Sequence, residues 1–255
     1  CKLDAANYLQ KILEWVDSHH MFMSSNGGSD HALVFSWDRG AELVKGNLEL
    51  SLLLKNMTHL VHYGYSNSMV ENMPNNYIVI PPYRKSEECV DSEKSVLAYF
   101  RGTFIDDYRY GKGLRQVLAE FGQNLPHLFK VDSGHNEFYW KELSAAKFAL
   151  CPPGWSEWSP RLFDALYCGS IPVLFEKIWE LPFSTHIDYT TFIVFIDISQ
   201  LESLPNILQG FSQQDLKKKF TAINFYRKLL TYNETPRNGD ATDMIAKLLT
   251  EKKAI

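Results

Sequence analysis

The sequence predicts an α/β fold of parallel sheets flanked by helices, arranged as two successive domains. Short β-rich runs alternate with helical patterns along the chain, the order that βαβ crossovers produce. A stop at Pro81-Pro82 is followed by a polar stretch, Arg84 to Lys94, that contains Glu87, Glu88, Asp91 and Glu93 and reads as an interdomain linker. A length of 255 residues suits one large or two modest domains and needs no staples to fold.

In the first half, Ala5 to Asp17 has the spacing of an amphipathic helix and Leu48 to Lys55 that of a second. His31 to Phe35, Thr58 to His62 and Tyr77 to Ile80 are short apolar runs that read as strands. The second half restarts with a strand, Ser95 to Phe100, and a helix from about Leu114 to Phe121. A helix at Phe138 to Ala146, a strand at Phe148 to Cys151, a helix at Pro160 to Cys168 and strands at Ile171 to Phe175 and Phe192 to Ile196 follow. The tail, Gln213 to Leu230 and Thr242 to Lys252, is helical. Two such halves predict Rossmann-like domains facing a cleft, with a ligand at the carboxyl ends of their strands.

Hydrophobic residues make up 45% and charged residues 22%, with no low-complexity tract, which excludes disordered and fibrous classes. A net charge of -4 provides no cationic field for nucleic acid, although a local basic pocket is compatible with it. Cys1, Cys89, Cys151 and Cys168 lie far apart without CxxC spacing, which argues against a structural zinc site and against a disulfide scaffold. Cys151 and Cys168 read as buried thiols acting as small hydrophobes. No apolar run reaches the length of a membrane span, and the opening residue, Cys1, is compatible with an upstream anchor or signal that has been removed. The sequons Asn56-Met57-Thr58 and Asn233-Glu234-Thr235 permit secretory glycosylation.

Chemistry concentrates in three places. From Lys147 to Phe175 an apolar strand ends in a Pro/Gly loop, Ser159 stands at a helix N-cap position, Pro160 at the first helical position and Gly169 at the stop. Arg161 in the first turn opposes the helix dipole, as expected if an anion is bound there; the alternative is a surface salt bridge. Asp164, three residues on, is placed to hold the Arg161 guanidinium or to reach a sugar hydroxyl. Glu157 either binds hydroxyls or is a solvated loop acid, and Trp155 and Trp158 beside it stack on a sugar or base or cover the core. Second, Arg101-Gly102-Thr103 leaves the first strand of the second half with a glycine for close backbone approach, and Arg109, Lys112 and Arg115 add charge around Gly111 and Gly113. Third, Asp38 follows the first strand and reads either as a general base or as a loop cap. Asp30 and His31 precede that strand and so face away from the expected ligand edge.

Several of these segments resemble one family. Gly27-Gly28-Ser29-Asp30-His31 with Trp37-Asp38-Arg39-Gly40, Ile78 to Tyr83, Phe100-Arg101-Gly102-Thr103, Leu114-Arg115-Gln116 and Leu150 to Leu162 are similar to motifs of the exostosin-like glycosyltransferases. The last segment is especially similar to the plant xylan xylosyltransferase branch. The resemblance implies the GT-B fold, with an acceptor-side domain over 1–92, a nucleotide-sugar domain over 93–215 and helices of 216–255 packing back on the first. It implies inverting transfer from a UDP-sugar, UDP-xylose first among donors, to a glycan hydroxyl, with no cofactor and no obligatory metal. Asp38 is then the base, and Arg101, Gly102, Thr103, Arg115, Gly154, Trp155, Glu157, Ser159, Arg161 and Asp164 contact the donor. Trp37 and Arg39, which replace the family's usual residues, face the acceptor. That departure keeps open a second reading, a UDP-sugar-binding pseudoenzyme that supports a related transferase in an oligomer. No nucleic-acid partner is expected, and the compartment is either the Golgi lumen or, for a virus-encoded member, the cytoplasm.

Overall fold

The computed structural model describes residues 2–20, 26–36, 47–62, 76–84, 89–90, 92–175 and 180–253. The chain divides into two compact units, Cys1–Pro81 with Trp179–Phe183 and Ile245–Ile255, and Pro82–Ile178 with Ser184–Met244.

The first unit is organised by α1 (Lys2–His20), β1 (Ala32–Phe35), α2 (Leu48–Leu54), β2 (Thr58–Val61) and β3 (Tyr77–Val79). Its three strands form a parallel sheet in the order β1-β2-β3. All four residues of β2 are buried, as expected of a central parallel strand covered on both faces. Ala6 and Leu13 of α1 meet Phe35, Leu50, Leu54, Met57, Val61 and Val79 in one apolar cluster. Asn47 caps α2 by accepting the Leu50 N–H at 3.0 Å. Two later segments join this unit through polar contacts. Tyr77 donates its hydroxyl to Glu180 at 2.8 Å, and Lys252 donates to the Tyr77 carbonyl at 2.7 Å.

The second unit carries β4 (Val96–Gly102), α3 (Leu114–Asn124), β5 (Phe129–Ser133), α4 (Tyr139–Ser144), β6 (Ala146–Cys151), α5 (Arg161–Tyr167), β7 (Ile171–Leu174) and β8 (Val194–Phe195). After these come α6 (Leu204–Gln209), α7 (Gln213–Tyr226) and α8 (Ala241–Lys253), the last running on into the first unit. The five strands are parallel in the order β5-β4-β6-β7-β8. Tyr99, Phe100, Phe148 and Phe163 are fully enclosed in the core. Because β5 and β6 lie on opposite sides of β4, the crossovers diverge there and open a crevice at the carboxyl ends of β4 and β6.

The predicted elements are present, with ends displaced by a few residues, and β5 and α6 are additions. β5 alternates apolar and polar residues on a sheet edge, and its outward Lys130 and Asp132 pair with Glu142 at 2.8 Å and Arg101 at 2.7 Å. α3 packs closely on it because a side chain at Gly122 would lie 2.8 Å from Val131 Cβ. The unit boundary falls at Pro81/Pro82 rather than after residue 92, and only the end of α8 counts with the first unit. The physical reason is that α7 buries Leu216 and Ile223 within the second unit, where it packs on β7.

The cysteine expectation is corrected. Cys89 and Cys168 form a disulfide across 79 residues of sequence, so Cys168 is not a free thiol. No local spacing announces it, because the fold alone brings the segment after Pro82 against the end of α5. Cys151 is free and buried, and burial pushes its thiol up to about 12, the inert behaviour expected of a small core residue. Among the described residues no helix is long and apolar enough to cross a membrane.

Candidate functional site

A cavity of about 410 Å³ opens at the crevice of the second unit, walled by the ends of three parallel strands. Arg101 and Gly102 end β4 and Thr103 follows it, Gly134, His135 and Asn136 follow β5, and Ser159, Pro160, Arg161 and Asp164 follow β6. Arg84, Tyr110, Arg115, Tyr139 and Trp140 complete the lining.

Two guanidinium groups dominate its charge. Arg115, the second residue of α3, is only 5% exposed and donates to the carbonyls of Pro153 (2.9 Å) and Thr103 (2.6 Å) and to the Tyr110 hydroxyl (2.8 Å). Its guanidinium lies 4.3 Å from the Tyr110 ring centre and 5.4 Å from that of Phe100. Burial, reinforced by the Arg161 charge, pushes Arg115 down to about 10, so it stays cationic at neutral pH. Arg161 stacks 4.7 Å from the Phe100 ring centre, and donates to the Arg101 carbonyl (3.0 Å) and the Ser159 hydroxyl (3.2 Å). Its Nε is buried with no hydrogen-bond partner. Among the described residues no carboxylate lies within ion-pair distance of either arginine. Two like charges held together in a cavity without a counter-ion favour an anion.

The glycine and the helix start are built around this pair. A Cβ at Gly102 would lie 2.9 Å from Arg161 Nη2 and 2.9 Å from Phe100 Cζ, so this glycine clears space for the stacked guanidinium. That adds to the expected role of admitting a ligand. Pro160 is already helical (φ -61°, ψ -15°), Leu162 donates to the Ser159 carbonyl, and the Ser159 hydroxyl accepts the Arg161 N–H at 3.3 Å. The N-cap position falls on Pro160, without a side-chain cap, rather than on Ser159 as expected, because Pro160 already turns into the helix; Ser159 stands one residue before it. α5 has seven residues, so the arginines rather than a long dipole supply the positive field.

The acids are arranged differently from expectation. Asp164 is 3% exposed and receives Arg84 in a fork, Nε at 2.7 Å and Nη2 at 3.0 Å, with the Tyr139 hydroxyl donating at 3.0 Å. It does not hold Arg161, and its partner comes from the stretch expected to be a linker. Burial, then the Asp164 charge, pushes the Tyr139 phenol far up, so it remains a donor. Arg101 is engaged by Asp132 at 2.7 Å and Glu142 at 3.3 Å, so its charge is neutralised within the protein and its carbonyl is what reaches Arg161. Glu157 is 3.8 Å from Lys112 and does not line the cavity. Trp155 is 57% exposed and packs edge-on against Tyr110 at 5.1 Å. Gly154 accepts the Gly111 N–H at 2.9 Å, which ties the loop after β6 to the glycine turn before α3. Arg109 pairs with Asp107 on the surface.

Asp30 and His31 form an exposed pair at 2.7 Å just before β1, on the amino edge of their sheet. Trp37, Asp38 and Arg39 lie outside the described residues. Sequence reasoning missed Arg84, Tyr110, His135, Asn136 and Tyr139. Only Tyr110 carried a local signal, its place beside the Gly111-Lys112-Gly113 turn.

Comparison with known proteins shows the family and the fold. Residues 2–211 match the family model described as the Exostosin GT47 domain. "Probable glucuronosyltransferase 47 A" of Physcomitrium patens is 27% identical over 96% of this chain and 58% of its own length. "Probable beta-1,4-xylosyltransferase IRX10" of Arabidopsis thaliana is 27% identical over 96% of this chain and 63% of its own length. The chain thus spans 58% and 63% of these two relatives. Among solved structures, Anabaena HepE in complex with UDP superposes with a TM-score of 0.53 at 10% identity, covering 88% of this chain and 72% of that one. That likeness shows the fold, GT-B, with its two Rossmann-like halves. By its match over residues 2–211, the chain belongs to the Exostosin GT47 domain family.

Proposed function

We propose that this protein is a glycosyltransferase that holds a UDP-sugar in the cavity of the second unit and transfers the sugar, with inversion and without a metal, to a glycan hydroxyl. The observation that carries this reading is the pair Arg115 and Arg161 beside Phe100 at the carboxyl ends of β4 and β6, two cations that no carboxylate among the described residues pairs with, since Asp164 in the same lining is taken by Arg84. A diphosphate leaving group gains negative charge as the glycosidic bond breaks, and fixed guanidinium groups stabilise that charge without reorganising. Asp164 and the residues after β5 suit the hydroxyls and base of a nucleoside. Asp38 takes the acceptor proton as the hydroxyl attacks the anomeric carbon from the opposite face. A single in-line displacement needs no protein nucleophile, so positioning and charge do the work. Relatives named both as glucuronosyltransferases and as xylosyltransferases support a donor of the UDP-xylose and UDP-glucuronate kind, with UDP-xylose preferred.

The test is UDP release from a panel of UDP-sugars, with and without EDTA, for the wild type, Arg161→Ala and Asp38→Asn, together with calorimetric UDP binding. Arg161→Ala is expected to weaken UDP binding and to lower kcat/KM by about 10²-fold or more. Asp38→Asn is expected to keep UDP affinity and lose turnover. Unchanged UDP affinity in Arg161→Ala removes that arginine from the site. UDP binding with no turnover of any donor, even with glycan acceptors, favours the non-catalytic partner instead.

A further inference from the structure

We propose that Asn56 carries an N-linked glycan. This is independent of the catalytic reading. Two sequons are present, Asn56-Met57-Thr58 and Asn233-Glu234-Thr235, and the structure distinguishes them. A disulfide such as Cys89–Cys168 persists in oxidising compartments, and in one of these, the secretory lumen, sequons are also read.

Asn56 sits exposed in the turn between α2 and β2. Its Nδ2 donates one hydrogen to the Gly27 carbonyl at 3.0 Å, which orients the amide and leaves the second hydrogen for substitution. The turn precedes β2, so it lies on the amino edge of the three-stranded parallel sheet. Ligands of such sheets gather at the opposite, carboxyl edge, and a bulky oligosaccharide at Asn56 leaves that edge open. Asn233 differs in both respects. It is half-buried, its Nδ2 donates to Asp240 Oδ2 at 3.1 Å, and it lines a cavity of about 500 Å³ together with Arg227 and Arg237. Asp240 is 2% exposed and caps the start of α8 by accepting the Asp243 N–H at 3.0 Å. A sugar on Asn233 would have to occupy that cavity beside the buried cap.

In the transfer, the bond from the oligosaccharide anomeric carbon to a polyprenyl diphosphate breaks and a bond from that carbon to Asn56 Nδ2 forms. The amide gives up one proton, and the polyprenyl diphosphate departs with the bonding electrons. No oxidation or reduction occurs.

The experiment is secretion of the full chain from a eukaryotic cell, followed by intact mass measurement, glycosidase treatment and peptide mapping. One glycan per chain is expected, with enzymatic release converting Asn56 to Asp in the mapped peptide. Asn56→Gln removes the added mass, whereas Asn233→Gln and Thr58→Ser keep it. A secreted chain without a glycan, or one whose glycan maps to Asn233 and survives Asn56→Gln, overturns the proposal. The wild-type peptide map decides the matter even if Asn56→Gln folds poorly.

Discussion

Phe100 holds two guanidinium groups against one fully buried ring, with Arg115 at 5.4 Å and Arg161 at 4.7 Å from its centre. Each contact is worth about 0.5–2 kcal/mol, which offsets part of the repulsion between the two cations until an anion arrives. Gly102 makes the second contact sterically feasible. Gly102→Ala is therefore expected to destabilise the protein by about 1–3 kcal/mol in denaturant unfolding and to weaken UDP binding, because the enclosed Phe100 ring cannot yield cheaply and the Arg161 guanidinium must move off it. Wild-type UDP affinity in that variant would show that Arg161 does not need its stack. Arg101 marks the limit of residue-level reading. As a type it matches Arg161, yet Asp132 and Glu142 neutralise it, and only coordinates separate a free cation from a satisfied one.

At the scale of the element, α5 joins three functions within little more than two turns. Arg161 faces the cavity, Asp164 is buried one turn later, and Cys168 caps the end and closes the disulfide. The segment from Pro82 to Val90 touches this helix twice, through Arg84 at Asp164 and Cys89 at Cys168. Arg84→Ala would leave the Asp164 carboxylate buried without its cation. A loss of about 2–3 kcal/mol is expected, below the value for a fully buried pair because Arg84 is a third exposed, and adding Asp164→Asn should recover most of it. A double-mutant cycle by chemical unfolding measures this; a coupling energy near zero would mean the fork is incidental. Cys89→Ser should lower stability by about 2–4 kcal/mol, since the loop freed in the unfolded state is long. Unchanged midpoints with and without reductant in the wild type would contradict that.

At the scale of the whole molecule, both units repeat one solution, a parallel sheet with covering helices, and the second unit places its cavity where the strand order reverses. The sequence by itself determined most of the element order, the parallel α/β class, the exits of β4 and β6 as loops that the structure brings to one cavity, and the family. These follow from local information, since apolar periodicity and Pro and Gly stops act over a few residues. It left β5 unread, because half-polar edge residues resemble a loop until Arg101 and Glu142 come to meet them. Only the tertiary structure decided that Asp164 takes Arg84 across 80 positions, that Arg101 is bound internally, and that Cys89 finds Cys168. Ion pairs and disulfides over such separations depend on how the crossovers stack one strand end beside another, and that geometry leaves no periodic trace in the chain.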